Sequence, residues 1–278
     1  MVLSSGHEAV RRVVKQELSD LAELWEGVVS EEHNVFLVAT APTLAVASKL
    51  TRRLTSRMGR KLARMARQVA EIRFGAALLP VHLPSPYLSG VHREVPHASD
   101  DTFVYTDFDE TLTTALTLDL IDKAGRGAKI GTDEFRAEYE AAIDELVRRD
   151  RAPEPWSVQV DLAVLEPTIG FAELESGGML DSSNAIGQSR KLVRAGLAYG
   201  DRSMSLHFCT AYANDGEGRP IKGSLRKYFV QEPDHHDGLL VGSSWWQRIL
   251  PADVTFDDFL EIFHEVAVEY EIAGPGGD

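Results

Sequence analysis

The chain has 278 residues, 44% of them hydrophobic and 26% charged, the balance of a globular protein long enough to bury a substantial core. Its single cysteine, Cys209, excludes an internal disulfide and a cysteine-rich zinc site and fits a reducing compartment. A net charge of −14 argues against a polyanionic partner. The apolar stretch 35–47 is too short to cross a bilayer, and residues 1–14 lack the apolar core of a secretory signal, so a cytoplasmic protein with no membrane partner is expected.

Residues 5–32 and 41–73 are predicted as helices, because apolar residues recur at helical spacing, as in Val10, Val13, Val14, Leu18, Leu21 and Leu24. The overall acidity is locally reversed here. No Asp or Glu occurs from Asn34 to Ala70, a segment that holds Lys49, Arg52, Arg53, Arg57, Arg60, Lys61, Arg64 and Arg67. Positions 53, 57, 60, 64 and 67 fall on one helix face. Such a stripe serves either as a solvated or internally paired helix face, or as a local field that attracts a polyanion.

The stretch 78–100 carries four prolines and reads as an irregular connection. A strand is predicted at 102–108 and a helix around Thr113–Ala124, followed by an acidic helix over 132–149. The strand end Asp107-Phe108-Asp109-Glu110-Thr111 matches, over about ten residues, the opening of haloacid-dehalogenase-type phosphatases. The same acids also suit the cap of the next helix.

Two strands are predicted at 157–165 and 170–175, then a helix from Ser183 to Ala198 and a strand at 204–213. Short strands are expected near 227–231 and 238–243, and a closing helix at 255–271 whose Asp257, Asp258 and Glu261 complement its dipole. Asp234-His235-His236-Asp237 reads as a polar turn. Of the pair Trp245-Trp246, one ring is expected in the core. This order predicts a single α/β domain over 1–278: a mainly helical N-terminal region (1–100) and a core (101–273) with a mixed central β-sheet flanked by helices.

Within that core, Glu173 and Glu175 lie two apart on one strand and therefore project to the same face. Asp161 lies on the preceding strand across a short turn, so an antiparallel pairing brings three carboxylates to one end of the pair. Hard oxygen ligands in that arrangement suit Mg²⁺, with phosphate and water oxygens completing its shell. No basic residue among Val158, Val160 and Leu162 offsets the two glutamates, although a solvated sheet face would tolerate them. The next helix presents Asn184, Gln188 and Lys191 at helical spacing near the same end of the sheet.

Asp161, Glu173-Leu174-Glu175 and the continuation SGGMLDSSNA (176–185) together resemble the PD-(D/E)xK nuclease superfamily, in detail the type II restriction endonucleases. HFCTAYAND (207–215) and DGLLVGSSWWQRI (237–249) resemble later segments of the same enzymes, so the likeness spans about 150–270. It implies a restriction-endonuclease-like core, Mg²⁺-dependent sequence-specific hydrolysis of double-stranded DNA, and a homodimer matched to a palindromic site. By the resemblance Asp161 and Glu173 are metal ligands, and Glu175 orients or deprotonates water. A helix acid from 133–145, Glu138 or Asp144 among them, is a further ligand to consider. Arg53, Arg57, Arg60, Lys61 and Arg64 become phosphate contacts, with Asn184, Gln188 and Lys191 also facing DNA. The sequence departs from the pattern at Glu175, which stands where a lysine is usual. A minority of these enzymes carry a second acid there and remain active with Mg²⁺. An active Glu-x-Glu enzyme is the favoured reading, with a lysine supplied from elsewhere, for which Lys191 is the candidate, as the alternative. The alternatives are a phosphatase using Asp107 and Asp109, or a catalytically inactive DNA-binding relative.

Overall fold

The computed structural model describes residues 4–27, 61–89, 101–165, 170–177, 180, 182–212, 223–231 and 238–270, with side chains except at 20–27, 176 and 177. The chain divides into two compact units, Met1–Arg73 with Ile249–Asp278, and Phe74–Arg248.

The first unit is helical: α1 (Ser5–Gly27), α2 (61–74) and, from the other end of the chain, the final helix Phe256–Glu269. Val10, Val14 and Leu18 are fully buried along one stripe of α1, as their spacing predicts. Lys15 pairs with Glu269 at 2.7 Å and Arg11 with Glu265, tying α1 to the final helix. That helix begins with a capping box in which Thr255 accepts from the Asp258 N–H and Asp258 accepts from the Thr255 N–H. Asp258 is thus a structural cap.

The second unit is α/β, with two mixed sheets flanked by helices. In the first sheet β1 (His82–Pro84) runs parallel to β2 (Thr102–Thr106), which pairs antiparallel with β3 (Trp156–Val160). In the second, β4 (Leu162–Val164) is antiparallel to β5 (Gly170–Gly177), and β5, β6 (Leu206–Tyr212) and β7 (Gly238–Val241) are parallel. Only Asp161 separates β3 from β4. The predicted strand 157–165 therefore bends at this residue and changes sheets, where the sequence predicted one central sheet. Thr102 bridges the crossing: its hydroxyl accepts from the Ala163 N–H at 3.2 Å and donates to the Pro80 carbonyl at 2.7 Å.

Helices α3 (Glu110–Arg126) and α4 (Asp133–Arg148) are capped by the Asp109 and Thr132 side chains. α5 (Ser182–Tyr199) connects β5 to β6, burying Ala185, Ser189, Leu192, Val193 and Gly196. Gly170, at φ +76°, opens β5. A Cβ there would stand 2.2 Å from the Ser205 carbonyl oxygen, and the close approach lets the Phe171 N–H reach that oxygen at 2.9 Å. The β5–β6 register starts from this contact.

Two expectations change. Residues 225–228 form a short helix, α6 (Leu225–Tyr228), and in place of the expected strand Phe229 and Gln231 make isolated bridges, to Ile130 and Leu239. Trp245 and Trp246, on α7 (Ser243–Ile249), are both 1% exposed, so the pair contributes two rings to the interior. Trp246 can be enclosed because its indole N–H donates to the Ala211 carbonyl at 2.9 Å. No described helix is long and apolar enough to cross a membrane. Residues 234–237 and the basic positions 49–60 lie outside the described residues.

Candidate functional site

Asp161 is placed by the sheet change. Beyond the Leu162–Ala172 pair, the next antiparallel partner for Leu174 would be Val160, but Val160 pairs with Thr102 in the other sheet. The Asp161 carboxylate takes the place of that strand partner: Oδ2 accepts from the Leu174 N–H at 2.7 Å. The first acid is thereby fixed beside the strand that carries the other two.

Glu173 and Glu175 share the β5 face covered by α5, together with their β6 register partners Phe208 and Thr210. Lys191, from the third turn of α5, donates to Asp161 Oδ1 and to Glu173 Oε2, both at 2.8 Å. Gln188, almost one turn earlier, donates to Glu175 Oε1 at 3.3 Å. Asp161, Glu173, Glu175 and Lys191, separated by up to 30 residues, thus form one cluster. His207 and Cys209 on the opposite β6 face are fully buried, and burial pushes the Cys209 thiol well above its ordinary value.

Electrostatically, three carboxylates share one ammonium. Glu173 is only 1% exposed; burial, and then repulsion from Asp161, push its carboxyl well above the usual range, with Lys191 pulling the other way. Burial followed by Asp161 also raises Glu175, partly offset by the Gln188 hydrogen bond. Burial works against the Lys191 charge, but Glu173 and Asp161 outweigh it and hold the ammonium protonated. Glu173 Oε1 is buried and has no hydrogen-bond partner among the described residues. The same is true of Thr210 Oγ1.

Among the described residues, no three His, Cys, Asp or Glu side chains stand as a ready-formed metal cage; here Lys191 lies between two of the acids. The donor set still suits a hard cation. Asp161 and Glu173 offer carboxylate oxygens, and Glu173 Oε1 is an orphaned acceptor.

The other predicted residues have varied fates. Lys61, predicted in the phosphate-contacting stripe, is buried with its ammonium 3.8 Å from the buried Glu17 carboxylate. Arg64 is partly exposed and its Nε donates to the same carboxylate at 2.9 Å. α1 supplies an acid that these two cations compensate. Arg53, Arg57 and Arg60 lie outside the described residues. Asn184 is exposed on α5, whereas Gln188 turns to Glu175. Glu138 pairs with Lys123 at 2.8 Å and Asp144 with Arg202, so neither joins the cluster.

The Asp107–Asp109 segment is organised differently. Asp109 caps α3, accepting from the Leu112 N–H at 2.7 Å. Asp107 is 3% exposed and holds the Ser89 backbone and hydroxyl, with Arg151 stacked on the Phe108 ring beside it. Thr210 was not singled out from sequence. The alternation of LHFCTAY, which puts residue 210 on the face of residue 208, was the available signal. No protein-family model, curated protein or solved structure matches this chain.

Proposed function

We propose that the protein is a Mg²⁺-dependent nuclease that hydrolyses phosphodiester bonds in double-stranded DNA, with a restriction-endonuclease-like core and the sequence specificity of a type II restriction endonuclease. The observation that carries this reading is the position of Lys191, 2.8 Å from both Asp161 and Glu173. A lysine supplied by the following helix provides the cation that the Glu-x-Glu strand lacks.

In this reading Asp161 and Glu173 hold the metal. When bound, Mg²⁺ supplies a Lewis acid that stabilises charge on the phosphate and makes an attacking water more acidic. The chain's own groups do the rest. The Leu174 N–H fixes Asp161, Gln188 fixes Glu175, and Glu175 orients the water through a carboxylate that burial makes a better proton acceptor. Lys191 keeps two acids at hydrogen-bond distance and places positive charge where the phosphate oxygens gather charge. The exposed Asn184 and the basic residues 53, 57 and 60 are assigned to DNA contact, and a homodimer to a two-fold symmetric site.

The phosphatase alternative has less support, since Asp109 is engaged as a helix cap and Asp107 as an anchor for Ser89. Phage DNA incubated with and without Mg²⁺ tests the proposal. Discrete fragments are expected with the metal, and none from Asp161→Ala or Glu173→Ala. Cleavage by those variants at the parental level would refute the site. Mg²⁺-independent, salt-sensitive duplex binding without cleavage would identify an inactive relative, and phosphate release from a phosphomonoester, lost in Asp107→Asn, the phosphatase.

A further inference from the structure

Two buried oxygens on the α5-facing side of the second sheet have no hydrogen-bond partner among the described residues: Glu173 Oε1 on β5 and Thr210 Oγ1 on β6. The residues bearing them are diagonal neighbours. Thr210 is the register partner of Glu175, and Glu173 lies two residues earlier on the same face. Enclosing a hydroxyl without a partner is costly, and Thr210 is fully buried. Valine has the same shape and favours strands, so packing alone gives no reason for the hydroxyl. The neighbouring β7 position on this face, Val241, is an aliphatic residue of that kind.

We propose that Thr210 is a positioning residue of the carboxylate site, its hydroxyl and Glu173 Oε1 together holding a hydrated divalent cation beside Glu175. This assignment rests on the nuclease reading for its chemistry, but not for its geometry. A threonine hydroxyl donates one hydrogen bond and accepts others, so it can orient a water whose remaining proton points to a carboxylate. Glu175 is held from α5 by Gln188, and Thr210 approaches the same site from β6. Thr210 thereby fixes the distance between the acids of β5 and what they bind, while Lys191 fixes the acids to one another.

The test compares parent protein, Thr210→Val and Thr210→Ser by isothermal titration with Mn²⁺, by thermal melting, and by plasmid cleavage in Mg²⁺. Without metal, Thr210→Val is expected to melt at or above the parental temperature, because it removes a hydroxyl that has no partner until the cation binds. It is expected to bind Mn²⁺ at least 5-fold more weakly and to cleave at least 10-fold more slowly, mainly in kcat, an effect of the size seen for a lost positioning hydrogen bond. Thr210→Ser is expected to recover most of both functions. Unchanged Mn²⁺ affinity in a folded Thr210→Val protein overturns the proposal, as does failure of the serine variant to recover binding. If the parent binds Mn²⁺ but cuts no DNA, the nuclease reading fails and the titrations alone decide the role of Thr210. If the parent binds no Mn²⁺, the assignment of Thr210 falls whatever the activity.

Discussion

Lys191 places its ammonium 2.8 Å from the carboxylate of Glu173, eighteen residues earlier in the chain and 1% exposed. The pair joins α5 to β5, with the acid enclosed and the lysine only partly exposed. Removing the lysine leaves a buried acid without its cation, which typically costs 3 kcal/mol or more. Lys191→Met is therefore expected to lower unfolding stability by about 3 kcal/mol in urea denaturation. It should also abolish Mg²⁺-dependent cleavage. Adding Glu173→Gln to it should restore most of the stability and none of the activity. A double variant no more stable than the single one would show that the pair is not the origin of the loss.

Glu175 carries a pH signature. Its carboxyl lies above the ordinary value of 4.5, through burial and then repulsion from Asp161. A carboxyl whose pKa is raised by folding stabilises the fold while protonated, and that contribution is lost as pH rises through the folded-state value. Glu175→Gln does not ionise. Its melting temperature relative to the parent should therefore be higher at pH 8 than at pH 4. Calorimetry giving the same difference at both values would remove the electrostatic account of this side chain.

Gly196 on α5 faces Tyr139 of α4. A Cβ at this position would lie 2.6 Å from the tyrosine hydroxyl and 2.8 Å from a methyl of Leu206. Gly196→Ala is thus expected to destabilise the protein by about 1–3 kcal/mol despite the better helix propensity of alanine. A melting temperature at or above that of the parent would mean that α4 and α5 are not in this close contact.

Asp109 offers a control on the competing chemistry. As the N-cap of α3 its replacement by alanine should cost about 1 kcal/mol and leave DNA cleavage intact. Loss of cleavage by an Asp109→Ala protein that remains folded would place the working site at 107–109 instead.

The sequence made the periodic features readable and left the geometric ones hidden. α4 was predicted over 132–149 and spans Asp133–Arg148, because Phe135, Tyr139, Ala142, Ile143 and Leu146 repeat at helical spacing and Thr132 caps it. The grouping of Asp161, Glu173 and Glu175 followed from strand alternation and one short turn. The break at Asp161 did not, since SVQVDLAVL reads as one continuous strand and only the pairing of residues 156–160 with β2 draws its first half into another sheet. Lys61 looked like a surface cation because Glu17, which it faces, lies 44 residues away in sequence. Thr210 carried no charge to draw notice, and its unpartnered hydroxyl is visible only once the neighbours on β5 are in place.

The one-residue junction at Asp161 has a wider consequence. Its carboxylate is held by β5, while the residues on either side of it are committed to different sheets. A chain that has formed only the first of those sheets has the acids but not their mutual placement, because the contacts that gather them come from β5 and α5. The mutual placement of the acids is thus a property of the folded second unit as a whole, and not of the strands that carry them.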